Sequence, residues 1–367
     1  MSELKMIIPE NFKEFGSKVN EHIKKMRNST EDFIVPTDLV RFSNGEGKAV
    51  IKESIRDKDL YILSDVSNHD ITYKYYGKDH NMTPDEHFQD IKRVLSAECG
   101  HAHKRTVVMP YLYQGRQDKR ASRESLDCAV GLDELRYMGV NEIITCDVHN
   151  RGVGNAVHNT AFESVQLGDI LLYDLVKNEK IDDFDRFICI SPDSGAMKRA
   201  SFFSDLLGNV QTATFDKNRD YTKVVDGKNP IKSHPFVGPS NLGGRYAIVP
   251  DDMIASGGSM VETVEAIKKL GVEKIFVVVT FALFTEGVDE FIRLHDEGKL
   301  DRVYASNVNY VPKDIQSMKW FKSVDCSDKI ANIIHRLNYG ESISDLIDGR
   351  TQTAVKIRKL RRNYEKK

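Results

Sequence analysis

Five short runs of branched and aromatic side chains constrain this chain most: residues 105–112 (RTVVMPYL), 142–149 (EIITCDVH), 186–193 (RFICISPD), 245–252 (RYAIVPDD) and 274–281 (KIFVVVTF). Each is continuously apolar at its centre rather than alternating, as in strands buried on both faces of a parallel sheet. Between them lie helical patterns such as 259–271, where Val261, Val264, Ile267 and Leu270 recur at helical spacing and Gly271 stands at the C-cap position. Strand and helix in alternation predict an α/β fold with mainly parallel sheets flanked by helices. At roughly 100–200 residues per domain, 367 residues make two domains. No apolar run approaches the ~20 residues of a membrane span. The opening MSELKMIIPENFKEF has early acids and no long apolar segment, which argues against a secretory signal.

Ligands bind beyond the carboxyl ends of the strands in an open α/β sheet. There the sequence places Arg116, Gln117 and Asp118, then residues 147–149, then Asp193, then Asp251 and Asp252. On one strand, polar residues merely mark the exit from the core; on four together they predict a site. Five scattered cysteines without a CxxC pair point to a reducing cytoplasm rather than a disulfide framework or zinc ribbon. Cys99, His101 and His103 have no second cluster at ligand spacing, which weighs against a metal there. Residues 66–90 read as a polar surface excursion with three histidines. Residues 350–367 hold eight basic residues and one acid, so a net charge of −2 conceals a +7 tail on a −9 body. A nucleic-acid binder usually has a basic body, so the tail reads as a solvated C-terminal helix.

The most informative stretch is 246–260, YAIVPDDMIASGGSM. A strand delivers Asp251 and Asp252; a turn with Ser256, Gly257, Gly258 and Ser259 follows; a helix then begins near Met260. Glycines let backbone N–H groups curl around an anion, and the helix N-terminus adds positive potential. The acids suit sugar hydroxyls or a magnesium ion. Sugar hydroxyls beside a phosphate describe a ribose 5-phosphate pocket.

This segment resembles the ribose-phosphate signature of type I phosphoribosyltransferases and of ribose-phosphate pyrophosphokinases. Three others resemble the pyrophosphokinases alone: RFSNGEGKAVIKESIRDKDLYIL (41–63), MPYLYQGRQDKRASRE (109–124) and ICISPDSGAMKRA (188–200). The resemblance runs from about Phe33 to Gly349. It implies two type I phosphoribosyltransferase-like domains, 1–165 and 166–336, followed by a C-terminal segment and tail, 337–367. It also implies an ATP-dependent diphosphotransferase acting on ribose 5-phosphate, a magnesium cofactor and a dimer-based homo-oligomer, commonly a hexamer. Within it, Lys217 and Arg219 match a catalytic K-x-R loop; taken alone, two basic residues in a polar loop are solvated charge. Phe42, Asn44 and Glu46 match a loop that, in the family, reaches the adenine of a neighbouring subunit, and Arg116, Gln117 and Asp118 match a nucleotide-binding stretch. His149 and Asp193 match positions that meet the magnesium–nucleotide complex. Asp251, Asp252, Ser256, Gly257, Gly258 and Ser259 match the ribose 5-phosphate site.

The sequence departs from the family in places. Ala255 stands where a third acid is usual, Asn150 replaces a small residue, and 220–244 is longer and more polar than the usual connection. A non-catalytic regulatory relative and a phosphoribosyltransferase-like enzyme are the alternatives. Lys217 and Arg219 weigh against the first, and the same pair with the FSNGE segment against the second.

Overall fold

The computed structural model describes residues 2–120, 122–181, 183–216, 218–219, 231–233 and 235–365, with 218–219, 231–233 and 364–365 by backbone alone. The chain forms two compact units. The first comprises residues 1–166, 307–310 and 325–348; the second comprises 167–306, 311–324 and 349–367.

The first unit is built on five parallel strands in sequence order: Leu4–Ile7, Asp59–Leu63, Lys104–Val108, Glu142–Cys146 and Ala161–Val165. Asp59–Leu63 and Glu142–Cys146 are buried along their whole length, as unbroken apolar runs require. Two antiparallel hairpins stand apart from this sheet, Thr37–Arg41 with Gly47–Ile51 and Thr72–Tyr75 with Lys78–Asn81. The second hairpin lies within the stretch read as a polar surface excursion with three histidines.

The chain returns to this unit in helix Ser327–Asn338, against helix Lys13–Arg27. The Asn338 amide donates to Asp59 Oδ2 at 2.8 Å, and Arg27 Nη2 donates to Asn338 Oδ1 at 2.7 Å. Burial, with the Asp59 charge beside it, pushes the Tyr61 phenol far above its ordinary range, so it donates to Asp59 as a neutral hydroxyl.

The second unit holds a seven-stranded sheet in the order Phe236–Val237, Gln211–Phe215, Phe187–Ser191, Tyr246–Ile254, Lys274–Ala282, Arg302–Ser306 and Phe321–Val324. All pairings are parallel except at the Phe236–Val237 edge. Helix Gly258–Lys269 buries Val261, Val264 and Ile267 as the spacing predicts, and Gly271 follows it at φ +85°. Strand Tyr246–Ile254 overruns its expected end: Asp251 still pairs with Val279 and Met253 with Phe281, so the acids lie within the ladder.

The basic tail is not simply solvated. It forms helix Arg350–Glu365, with Thr353 and Ile357 buried. Thr353 Oγ1 donates to Asp169 at 3.2 Å, Arg350 pairs with Asp205 at 3.0 Å, and Arg361 with Asp185 at 3.2 Å. Among the described residues no helix is long and apolar enough to cross a membrane.

Candidate active site

In the second unit the site begins with a carboxylate pair. Successive strand residues face opposite ways, so Asp252 turns into the protein, 3% exposed, while Asp251 keeps a quarter of its side chain in solvent. The Asp252 N–H donates to Asp251 Oδ1 at 2.8 Å and the Met253 N–H to Asp252 Oδ1 at 3.0 Å. Burial, and then the Asp252 charge, hold Asp251 well above the usual carboxylate range. Arg199 opposes both: its guanidinium stands 4.0 Å from Asp251 Oδ1 and 3.5 Å from Asp252 Oδ2. Arg199 lies in the first turn of helix Met197–Leu206. The sequence motif contained it without giving it a role. The missed signal was that two adjacent acids in a buried strand need a cation.

Beyond Ile254 the chain turns. The Thr285 N–H donates to the Ala255 carbonyl at 2.9 Å, and Gly257 takes φ +92° to open helix Gly258–Lys269. A Cβ on Gly257 would meet the Phe291 ring at 2.7 Å, whereas one on Gly258 would meet nothing within 4 Å. The turn is therefore closed on its protein side and open at the helix entrance. The Met260 N–H bonds the Gly257 carbonyl at 2.9 Å, but the entrance beside Gly258 stays open and the positive end of the helix dipole lies there, which suits a phosphate. Ser256 is half-buried and Ser259 exposed.

Asp193 follows strand Phe187–Ser191, whose Ile188 pairs with Ala247 of the acid-bearing strand, so both reach the same sheet edge. Asp193 Oδ1 caps the next turn, accepting the Gly195 N–H at 2.9 Å and the Ala196 N–H at 3.1 Å. Lys217 lies outside the described residues. Arg219 is placed by backbone alone, in strand Asn218–Arg219 paired with Ile231–Ser233.

In the first unit, Arg116, Gln117 and Asp118 occupy the loop between strand Lys104–Val108 and helix Asp127–Tyr137, with Arg116 and Gln117 exposed. His149, also exposed, follows the adjacent strand Glu142–Cys146. Asn150 has a local role: its side chain accepts the Gly152 N–H at 2.9 Å and caps the turn. Phe42, Asn44 and Glu46 form the exposed tip of the first hairpin. There the Asn44 amide donates to Glu46 Oε2 at 2.9 Å, and the Glu46 N–H to Asn44 Oδ1 at 3.2 Å.

Of the C-x-H-x-H residues, Cys99 ends helix Pro84–Glu98, His101 bonds to the Glu98 carbonyl at 2.9 Å, and His103 lies 3.6 Å from Asp57. Among the described residues no group of three or more His, Cys, Asp or Glu is placed to hold a metal ion by itself.

Residues 4–139 match the N-terminal domain of ribose phosphate pyrophosphokinase, and residues 209–348 match the phosphoribosyl synthetase-associated domain. A ribose-phosphate pyrophosphokinase of Pasteurella multocida is 28% identical over 306 residues, 83% of this chain and 88% of that protein. One from Haemophilus ducreyi is 27% identical over 310 residues, 84% of this chain and 89% of that protein. The fold is similar to that of phosphoribosylpyrophosphate synthetase from Mycobacterium smegmatis, with a TM-score of 0.75 at 19% identity, covering 92% of this chain and 99% of that one.

Proposed function

The chain belongs to the ribose-phosphate pyrophosphokinase family, and on that footing we propose which residues carry the family's reaction. The enzyme transfers the β,γ-diphosphoryl group of ATP to the 1-hydroxyl of ribose 5-phosphate. The sugar oxygen attacks the β-phosphorus, the bond from that phosphorus to the α-bridging oxygen breaks, and the hydroxyl proton is released. The products are AMP and phosphoribosyl pyrophosphate.

One observation carries the sugar assignment: the acid pair is joined through a glycine turn to an open helix entrance. We assign Asp251 and Asp252 to the ribose hydroxyls, Asp251 as the solvent-open acceptor and Asp252 as the buried acid that holds Arg199 against the pair, and residues 256–259 to the 5-phosphate. In the first unit, Arg116, Gln117 and Asp118 bind the nucleotide, and Phe42, Asn44 and Glu46 meet the base of the nucleotide held by a neighbouring subunit. Lys217 and Arg219 neutralise charge that develops on the transferring diphosphate. Phosphoryl-type transfer depends mainly on such positioning and charge compensation.

Magnesium is the proposed cofactor, and each unit offers it one candidate separately: in the second unit Asp193, a carboxylate already oriented by two N–H bonds, which suits a hard cation, and in the first unit His149, an exposed imidazole that would meet the magnesium–nucleotide complex. A hard cation bound chiefly by phosphates and water asks little more of the protein. Bound with the nucleotide, such an ion would supply charge neutralisation to the triphosphate. We place the enzyme in the cytoplasm as a homo-oligomer built from dimers, with a hexamer as the expected assembly. Arg350 and Arg361 of the tail helix pair with Asp205 and Asp185, and the acidic body argues against nucleic acid as a partner.

The test is to mix the protein with ATP, Mg²⁺ and ribose 5-phosphate and to measure AMP and phosphoribosyl pyrophosphate together. Absence of AMP at every phosphate concentration overturns the assignment. Lys217→Ala should cut turnover by orders of magnitude while ribose 5-phosphate still binds; an unchanged rate removes Lys217 from the mechanism.

A further inference from the structure

The hairpin Thr72–Asn81 is braced at its base by side-chain hydrogen bonds yet ends in aromatic rings turned to solvent. At its base, Tyr73 Oη donates to Glu86 Oε1 at 2.7 Å and His80 Nε2 lies 2.9 Å from Glu86 Oε2. Burial would raise the Glu86 carboxyl, but bonds from the Thr83 N–H, Tyr73 and His80 bring it down to about 2. Glu86 is thus a fixed anion at physiological pH. Arg41, which ends a strand of the first hairpin, joins the same base: it donates to the Glu86 carbonyl at 3.2 Å, pairs with Asp90 at 2.8 Å and lies over the Tyr73 ring at 5.8 Å.

The tips are joined as well. The Tyr76 N–H donates to the Ser43 carbonyl at 2.8 Å, and a Cβ on Gly45 would stand 3.0 Å from the Tyr75 ring. Tyr76 therefore sits directly beside Phe42 and Asn44 in the paired backbone.

Tyr76 is set against its local preferences. Strand pairing leaves Tyr76 and Gly77 as a two-residue loop with φ +45° and +78°, the pattern of a turn that selects Asn, Asp or Gly at its first position. A left-handed conformation costs an L-residue roughly 1–2 kcal/mol. The ring is also 74% exposed. One edge of the ring meets Tyr75, centroid to centroid 4.9 Å, but neither the turn nor the core calls for a tyrosine there.

We propose that this hairpin is the second half of the nucleotide-base site, with Tyr76 as a ring on which the purine of the ATP substrate stacks. The inference rests on the function proposed above. Phe42 and Tyr76 supply flat apolar faces, while Asn44 and Glu46 supply the acceptors and donor that a purine edge with an exocyclic amine requires.

The test uses Tyr76→Asn, which suits the turn, and Tyr76→Phe, which keeps the ring. Tyr76→Asn should raise the KM for ATP roughly tenfold, with kcat and the KM for ribose 5-phosphate nearly unchanged, and Tyr76→Phe should restore the wild-type value. Inhibition by AMP should weaken in parallel, while inhibition by inorganic tripolyphosphate, which has no base, should not change. An unaltered ATP KM in Tyr76→Asn overturns the inference, as does a change in oligomeric state alone. If the wild-type protein makes no AMP, the functional reading has failed. Calorimetric AMP binding to wild type and Tyr76→Asn then still decides whether the hairpin meets a base.

Discussion

Each unit carries acid beyond or within the carboxyl end of a central strand, and the two are treated differently. In the first unit Asp65, fully buried, follows strand Asp59–Leu63 by two positions. Its Oδ1 accepts the Ser67 N–H at 2.9 Å and the Ser67 hydroxyl at 2.6 Å, and its Oδ2 accepts the Tyr310 N–H at 2.7 Å. Burial still lifts it to about 6, against the pull of those bonds. In the second unit Asp251 and Asp252 meet a guanidinium instead. An acid whose acceptors are filled by the chain's own backbone holds a loop in place. An acid pair balanced by a partly exposed arginine, with one member open to solvent, remains able to accept bonds from a ligand.

The contrast breaks most readily at Asp251, the member open to solvent. Asp251→Asn should lower kcat/KM for ribose 5-phosphate about 100-fold, since charge-assisted hydrogen bonds contribute ~1.5–3 kcal/mol each; a loss below about threefold would place the sugar elsewhere. Gly257→Ala comes next. Its positive φ and the Phe291 contact should cost roughly 1–3 kcal/mol of local strain and raise the KM for ribose 5-phosphate about tenfold, as a Michaelis–Menten series would show.

Arg199→Gln should act more mildly and in a pH-dependent way. Without the guanidinium the acid pair binds its proton more tightly, so the KM for ribose 5-phosphate should rise towards acid pH and recover as pH increases. Arg199→Lys should restore part of the profile, and a flat KM difference across pH would reduce Arg199 to packing.

Asp65→Asn should leave turnover nearly intact and change stability instead. The native carboxyl titrates above an unfolded aspartate, so both are protonated below about pH 4 and the contribution is then fully present. It is lost as pH rises to about 6, an effect of roughly 3 kcal/mol. The variant should be weaker at neutral pH, because its amide faces the Tyr310 N–H, but should lack that decline. Melting temperatures at pH 4.5 and 7 for both proteins check this, and parallel curves would refute it.

Much of this was legible in sequence, for identifiable reasons. Runs such as 142–149 and 274–281 are apolar enough to name themselves as buried strands. The glycine turn after Asp252 was legible because its chemistry is contiguous. Hairpin Thr72–Asn81 was not: its faces are mostly exposed, so no buried period marks it, and its anchor Glu86 lies on the next helix. Arg199 was hidden by distance along the chain from its acids. Asp65 was hidden similarly, since the Tyr310 N–H that fills its second oxygen comes from the far end of the sequence. The tail's charge suggested solvation, but Thr353 and Ile357 give it a face to bury.

The path of the backbone has a consequence for how the enzyme is made. Residues 325–348 complete the first unit, yet everything between 167 and 306 belongs to the second. A ribosome adding ~5–20 residues per second delivers the partner of helix Lys13–Arg27 roughly 10–30 s after residue 166 has emerged. During that interval the amino-terminal half lacks helix Ser327–Asn338, with its buried Ile330, Ile333 and Ile334, and leaves the surface it covers open. Nascent chains stalled before residue 325 should therefore engage chaperones or aggregate. A gene cut at the visible boundary near residue 166 would yield two unfinished products rather than two domains.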